Sequence, residues 1–306
     1  CMMAGTASLP HVMMRYFTTP SVKAARRSVG WSLFFIFLLY SSAPMLATLS
    51  KLSLMDPNLP TGIIGKSIAE VQGIDWYQNW NQANLMFVSD FNGNGTLELN
   101  EFFMGGKAVV LATPEIAGLP YVISGLVAAG GMAAAMSTAD GLVLAISNAL
   151  SHDVYYKMIN PKAETAKRLI VARVLLVLIG FAGATIAALE IQGILGSVIW
   201  AFDFAMSGLF FPLVLGVWWK RANAQGAVAG MLGGLIAGTA YLIAVRSGYP
   251  GFWGVTQLTF GIVGSLVSLV LMVVVSLMTK APDAATQRMV DEVRIPSGKA
   301  ILGKQH

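Results

Sequence analysis

Six stretches of this 306-residue chain carry almost no charge, and this constrains its fold more than any motif does. Residues 28–50, 222–245 and 247–279 contain no Asp, Glu, Lys or Arg. Residues 116–152 contain only Asp140, in a span drawn from 116 to 156, and residues 191–219 contain only Asp203. Residues 169–189 hold Arg173 near one end, where its long side chain can snorkel toward the interface. A helix needs about 20 apolar residues to cross the roughly 30 Å of a bilayer's hydrocarbon, so each stretch predicts one transmembrane helix. Composition agrees, with 56% of residues hydrophobic and 11% charged, outside the range of soluble globular domains. The expected class is an all-α integral membrane protein seated in the lipid of a plasma (bacterial inner) membrane.

Lys and Arg close to span ends mark the cytoplasmic side. Residues 1–27 carry Arg15, Lys23, Arg26 and Arg27, and the connection after the second span carries Lys157, Lys162, Lys167 and Arg168. Lys220 and Arg221 follow the fourth span, and the tail 280–306 opens on Lys280. The alternate connections are poorer: Glu190 after the third span, Arg246 after the fifth, and three lysines against seven acids in the loop 51–115. This pattern predicts both ends cytoplasmic and the loop 51–115 extracytoplasmic. The tail, with Pro282 and Pro296, reads as a short helix followed by disorder. The net charge of +5 comes from basic clusters beside spans and calls for no nucleic-acid partner. A single cysteine, Cys1, rules out a disulfide framework or a cysteine zinc site. With no nucleophile–base pair, phosphate loop or HExxH motif, an enzyme is not expected. His11 and His152 lack partners at metal-ligand spacing and read as packing residues. Pro212 interrupts the hydrogen bonding of the fourth span and frees a carbonyl.

DFNGNGTLELNE, residues 90–101, fits the EF-hand loop pattern at every specified position. Asp90, Asn92 and Asn94 would offer side-chain oxygens to calcium and Thr96 its carbonyl. Glu98 sits at the water-mediated position, Glu101 at the bidentate one, and Gly95 at the turn. WYQNWNQANLMFVS, before it, has the makings of an entering helix. The alternative is an Asx-rich surface turn that holds no ion.

GGMAAAMSTADG, residues 130–141, sits in the second span. Helical residues three and four apart share a face, so the Ala134 carbonyl faces the Ser137 and Thr138 side chains, and three oxygens converge. The plainer account is that both hydroxyls bond back to carbonyls one turn earlier. Asp140 weighs against it, because an ionisable group in mid-membrane costs several kcal/mol and is a functional candidate by default. Asp203, in the fourth span, either faces an ion or substrate path or is a protonated, internally bonded structural acid.

The A-x-x-S-T pattern, with the helix that ends in SHDVYYK, resembles the sodium:solute symporter family. GTASLPHVMMRYFTTPSVKAARRS resembles the segment after that family's broken sixth core helix, and WWKRANAQGAVAGMLGG its linker beyond the tenth. ATPEIAGLPYVISGLVAAGGMAAAMSTADG, with the loop pattern before it, is most similar to the cation/acetate symporter branch. The resemblance implies the second half of a LeuT-type inverted-repeat core, helices seven to ten, plus two peripheral helices. It also implies a sodium site of the Ala134 carbonyl and the Ser137 and Thr138 hydroxyls, completed by carbonyls of core helix one. Asp140 and Asp203 are the candidate coupling acids. Core helix one would lie in a missing amino-terminal half, since the chain opens on Cys1 and reads as the middle of a longer protein. The implied function is sodium-coupled secondary active transport (symport) of a small organic solute, a monocarboxylate such as acetate. The alternatives are a symporter-like membrane sensor domain and a non-transporting half that needs a partner chain.

Overall fold

The computed structural model describes residues 1–14, 19–189, 191 and 193–294. Arg15, Glu190 and the tail beyond 294, with Pro296, lie outside the described residues. Two short helices, α1 (Met2–Ser8) and α2 (Pro10–Met14), precede α3 (Val22–Met55). The chain divides into two compact units, Arg26–Ala139 and Cys1–Ala25 together with Asp140–His306.

The first unit carries a small module with its own core. Ser67 and Glu70 begin α4 (Ile68–Gln72) in the S-x-x-E arrangement, with the Glu70 N–H donating to the Ser67 hydroxyl at 3.2 Å. After α5 (Asp75–Gln82), strand β1 (Met86–Val88) pairs antiparallel with β2 (Phe102–Met104), and Val88 lies opposite Phe102. Leu54, Ile63, Val71, Tyr77, Met86 and Leu97 close over one another and over α6 (Val109–Ile116). Gly118 then takes a left-handed conformation (φ 64°) and Pro120 follows, the usual way to stop one helix and start another. The second span therefore opens at Tyr121 rather than 116. It runs as α7 (Tyr121–Asn148) and continues through a π-helical stretch, Ala149–Ile159.

The second unit holds the remaining long helices. α8 (Thr165–Ala188) is followed by α9 (Ile194–Ala205), a π-helical turn at Met206–Phe210, and α10 (Phe211–Trp218). Pro212 falls in the first turn of α10, where its missing N–H costs least and the π turn takes up the mismatch. α11 (Ala224–Arg246) is capped by Asn223, whose side-chain oxygen accepts from the Gly226 N–H at 2.8 Å. α12 (Gly261–Met278) lies against α11, and α13 (Ala284–Val293) is the short tail helix. Gly226, Gly230, Gly234 and Gly238 are the buried stripe of α11 that lets the two helices close. A Cβ on Gly230 would sit 3.0 Å from the Ser268 carbonyl oxygen.

The sixth span is shorter than the uncharged stretch 247–279, because residues 247–260 form a connection instead of helix. The Tyr241 hydroxyl donates to the Val255 carbonyl at 2.9 Å and accepts from the Phe252 N–H at 3.3 Å. The Trp200 indole N–H donates to the Gln257 carbonyl at 2.9 Å. Gly251 and Gly254 both adopt positive φ, which ends any helical run there. Six helices among the described residues are long and apolar enough to cross a membrane: α3, α7 with its π extension, α8, α9 through α10, α11 and α12.

Candidate functional site

α7 is built almost wholly of small residues from Gly125 to Ala139, so its backbone lies close to its surface. Residues 131–140 are all exposed within the chain. The Thr138 hydroxyl donates to the Ala134 carbonyl at 3.3 Å, the back-bonded arrangement that spacing alone allows. A hydroxyl that gives its proton to a carbonyl keeps both lone pairs, so this bond leaves the Thr138 oxygen able to accept a cation. Ala134, Ser137 and Thr138 thus share one helix face in the first unit, and Asp140, also exposed, opens the second.

Asp203 has different surroundings. Its side chain is fully buried, and among the described residues neither carboxylate oxygen has a hydrogen-bond partner. It abuts Gly261, the first residue of α12, where a Cβ would stand 2.8 Å from its Oδ1. One turn on, the Ser207 hydroxyl donates to the Asp203 carbonyl at 2.7 Å and fits among Gly234, Gly238 and Gly264. The carboxylate therefore faces a helix N-terminus, whose unpaired N–H groups favour negative charge.

The loop 90–101 is held closed by its own side chains. Asp90 Oδ1 and Oδ2 accept from the N–H groups of Gly93 (2.7 Å) and Gly95 (3.0 Å). Asn92 Oδ1 and Asn94 Oδ1 each accept the N–H two residues on, from Asn94 and Thr96. Glu98 Oε1 takes the side-chain amides of both Asn92 and Asn94 at 3.0 Å. Glu101 is fully buried, with Oε1 on the Phe91 N–H (2.9 Å) and Oε2 on the Glu98 N–H (3.0 Å). Helices do not flank the loop directly, as an EF-hand would require: β1 enters and β2 leaves, so strand pairing joins its ends. Among the described residues no three His, Cys, Asp or Glu side chains come together as a metal cluster.

His11 and His152 reach no such cluster either. The His152 ring lies 5.5 Å from that of Tyr156, over which the Arg168 guanidinium sits at 4.0 Å. A clasp between the segment after α10 and α13, also in the second unit, was not anticipated from sequence. Lys220 pairs with Asp291 of α13 at 2.8 Å, and Arg294 stacks over the Trp218 ring at 5.5 Å. Arg221 donates to the Thr279 carbonyl at 2.6 Å. The only signal for it was the run of Trp218, Trp219, Lys220 and Arg221 ahead of an acidic tail helix.

The sequence profile of the sodium:solute symporter family matches residues 107–234, the segment that contains α7 through most of α11's first half. Over that segment the chain is similar to the sodium:solute symporter family. It is similar to an uncharacterized symporter of Cupriavidus necator, 41% identical over 307 residues that cover 96% of this chain and 44% of the relative. It is also similar to a monocarboxylic acid transporter of Corynebacterium glutamicum, 28% identical over 235 residues, 76% of this chain and 35% of the relative. The chain thus spans less than half the length of either curated relative. Family and helices together make it a multi-pass membrane protein.

Proposed function

We propose that the chain is the carboxy-terminal part of a sodium-coupled symporter that carries a small monocarboxylate, such as acetate, into the cell. The observation that carries this reading is the oxygen face of α7, Ala134 with Ser137 and Thr138, inside the segment that matches the family profile. Sodium, a hard cation, prefers oxygen ligands. A carbonyl and two hydroxyls supply them without placing a permanent anion in the membrane. Neutral ligands also keep binding weak enough for release, as a transport cycle requires. Carbonyls from a first core helix, in a part of the protein outside this chain, complete the shell. Sodium binding favours the outward-open state, and substrate binding then permits the change to the inward-facing one. The substrate class rests on the resemblance to the cation/acetate branch and on the name of the Corynebacterium relative. In this reading both ends of the chain lie in the cytoplasm, supported by the lysines and arginines beside spans. The test is uptake of labelled acetate by cells expressing the complete reading frame, with sodium or with choline in its place. Sodium-stimulated uptake, competed by other short monocarboxylates, is expected; uptake indifferent to sodium contradicts the reading.

The proposal extends to calcium in the loop 90–101, with Asp90, Asn92, Asn94, Thr96, Glu98 and Glu101 as its ligands and a structural role. What supports it is that the oxygens of Asp90 and Glu101 each take one backbone N–H, and a carboxylate oxygen has a further lone pair. Glu101→Gln removes one of those acceptors from a buried position and destabilises the loop by about 1–3 kcal/mol, read as a lower melting temperature of the purified protein. Calorimetry on the same pair tests the ion. Calcium binding by wild type that weakens in Glu101→Gln supports it, and none at millimolar calcium refutes it.

A further inference from the structure

Within the first unit, the end of α3 and strand β2 enclose a cavity of about 240 Å³. Leu54, which is fully buried, and Ile64 form one side, and Phe102 and Met104 form another. Lys51 is the only charged residue on its wall. Among the described residues Lys51 makes no ion pair. The acids of the neighbouring loop are already engaged: Glu98 holds two side-chain amides, and Glu101 is buried on two backbone N–H groups. The carbonyls at the end of α3 do not compete for the ammonium either. Leu52, Ser53 and Leu54 accept from the Asp56 N–H, the Thr61 hydroxyl and the Ile63 N–H at 2.9–3.0 Å. The result is an apolar recess with one unpaired cation, the combination that selects an anion with a hydrocarbon tail.

We propose that this cavity binds a monocarboxylate with a short alkyl tail, the carboxylate on Lys51 and the tail between Leu54, Ile64 and Phe102. The ligand class is the one proposed for transport, but the site is separate from the oxygens of α7 and needs no sodium. An apolar cavity of this size accepts a chain of several carbons better than acetate, because each buried CH₂ adds to binding.

The experiment is saturation-transfer NMR of hexanoate with the intact protein in nanodiscs, without sodium, against empty nanodiscs. Hexanoate should bind more tightly than acetate, and hexylammonium should not bind. Lys51 is exposed, so Lys51→Met leaves folding intact and should weaken hexanoate about tenfold, the loss of one charge-assisted contact. Lys51→Arg should retain binding. Equal binding by wild type and Lys51→Met, or binding of hexylammonium, overturns the proposal. If instead Ser137→Ala and Thr138→Ala abolish hexanoate binding and Lys51→Met does not, the ligand sits at the transport site. That outcome refutes the cavity and leaves the transport reading intact. Sodium-independent binding that depends on Lys51, in a protein without sodium-driven uptake, upholds the cavity and rejects the transport reading.

Discussion

Asp140 and Asp203 are both single acids in otherwise uncharged helices, and their surroundings set them different tasks. Asp140 is exposed on α7, one helical turn beyond Ser137, where its charge would reach an ion at the proposed sodium site. Asp140→Asn should therefore change the sodium or pH dependence of uptake, and a variant with both dependences unchanged reduces Asp140 to a packing residue. Asp203 is sealed against Gly261 at the start of α12, with no room for a Cβ between them. There the unpaired N–H groups of the helix terminus favour any negative charge the carboxylate keeps. Asp203→Asn should lower the melting temperature of the purified protein while the half-saturating sodium concentration stays put. A sodium shift with unchanged melting would make Asp203 a coupling acid after all. The sequence left Asp203 open between an ion or substrate path and a protonated, internally bonded structural acid, since Gly261 becomes its neighbour only through the packing of two distant helices.

The tail helix α13 is fastened to the segment after α10 by contacts that water can reach. The Lys220–Asp291 pair is about half exposed on each side, so the helix is held loosely. The hydrogen bond from Lys220 holds the Asp291 carboxyl below the usual carboxylate range, with the nearby charges of Lys220 and Arg294 adding to it. A depressed acid stabilises the folded state above its ordinary value. That contribution fades as pH falls from the ordinary value through the lower, folded one. Backbone hydrogen exchange in Ala284–Val293 should thus stay slow at pH 5 and quicken only in stronger acid. Asp291→Lys should quicken exchange at neutral pH, and adding Lys220→Asp should slow it again; failure of that rescue would mean another contact holds the helix. The tail helix was expected but its partner was not, because a ten-residue helix with Arg288 against Asp291 and Glu292 specifies no partner. Strands β1 and β2 escaped notice for the same reason. Each has three residues, and only pairing across the loop makes them strands.

At the scale of the whole molecule, the helices were legible because the bilayer allows so few alternatives: a long uncharged stretch has to be a span. The same rule misplaced the start of the sixth. Residues 247–260 also lack charge except at their border, but Tyr241 and Trp200 satisfy their backbone groups and Gly251 and Gly254 turn the chain. The proposed sodium site rests on spacing, Ala134 to Ser137 and Thr138, and its proposed partner helix is sought outside this chain, which spans less than half the length of either relative. The most direct test of the account is therefore made in the complete protein, on the sodium concentration for half-maximal uptake of labelled acetate. Ser137→Ala and Thr138→Ala each remove one oxygen, a loss of about 1–3 kcal/mol, and should raise that concentration roughly five- to a hundredfold. Thr138→Ser keeps the oxygen and should stay near wild type. Wild-type sodium dependence in both alanine variants would contradict the site, and would leave the two hydroxyls as ordinary back-bonded groups of a membrane helix.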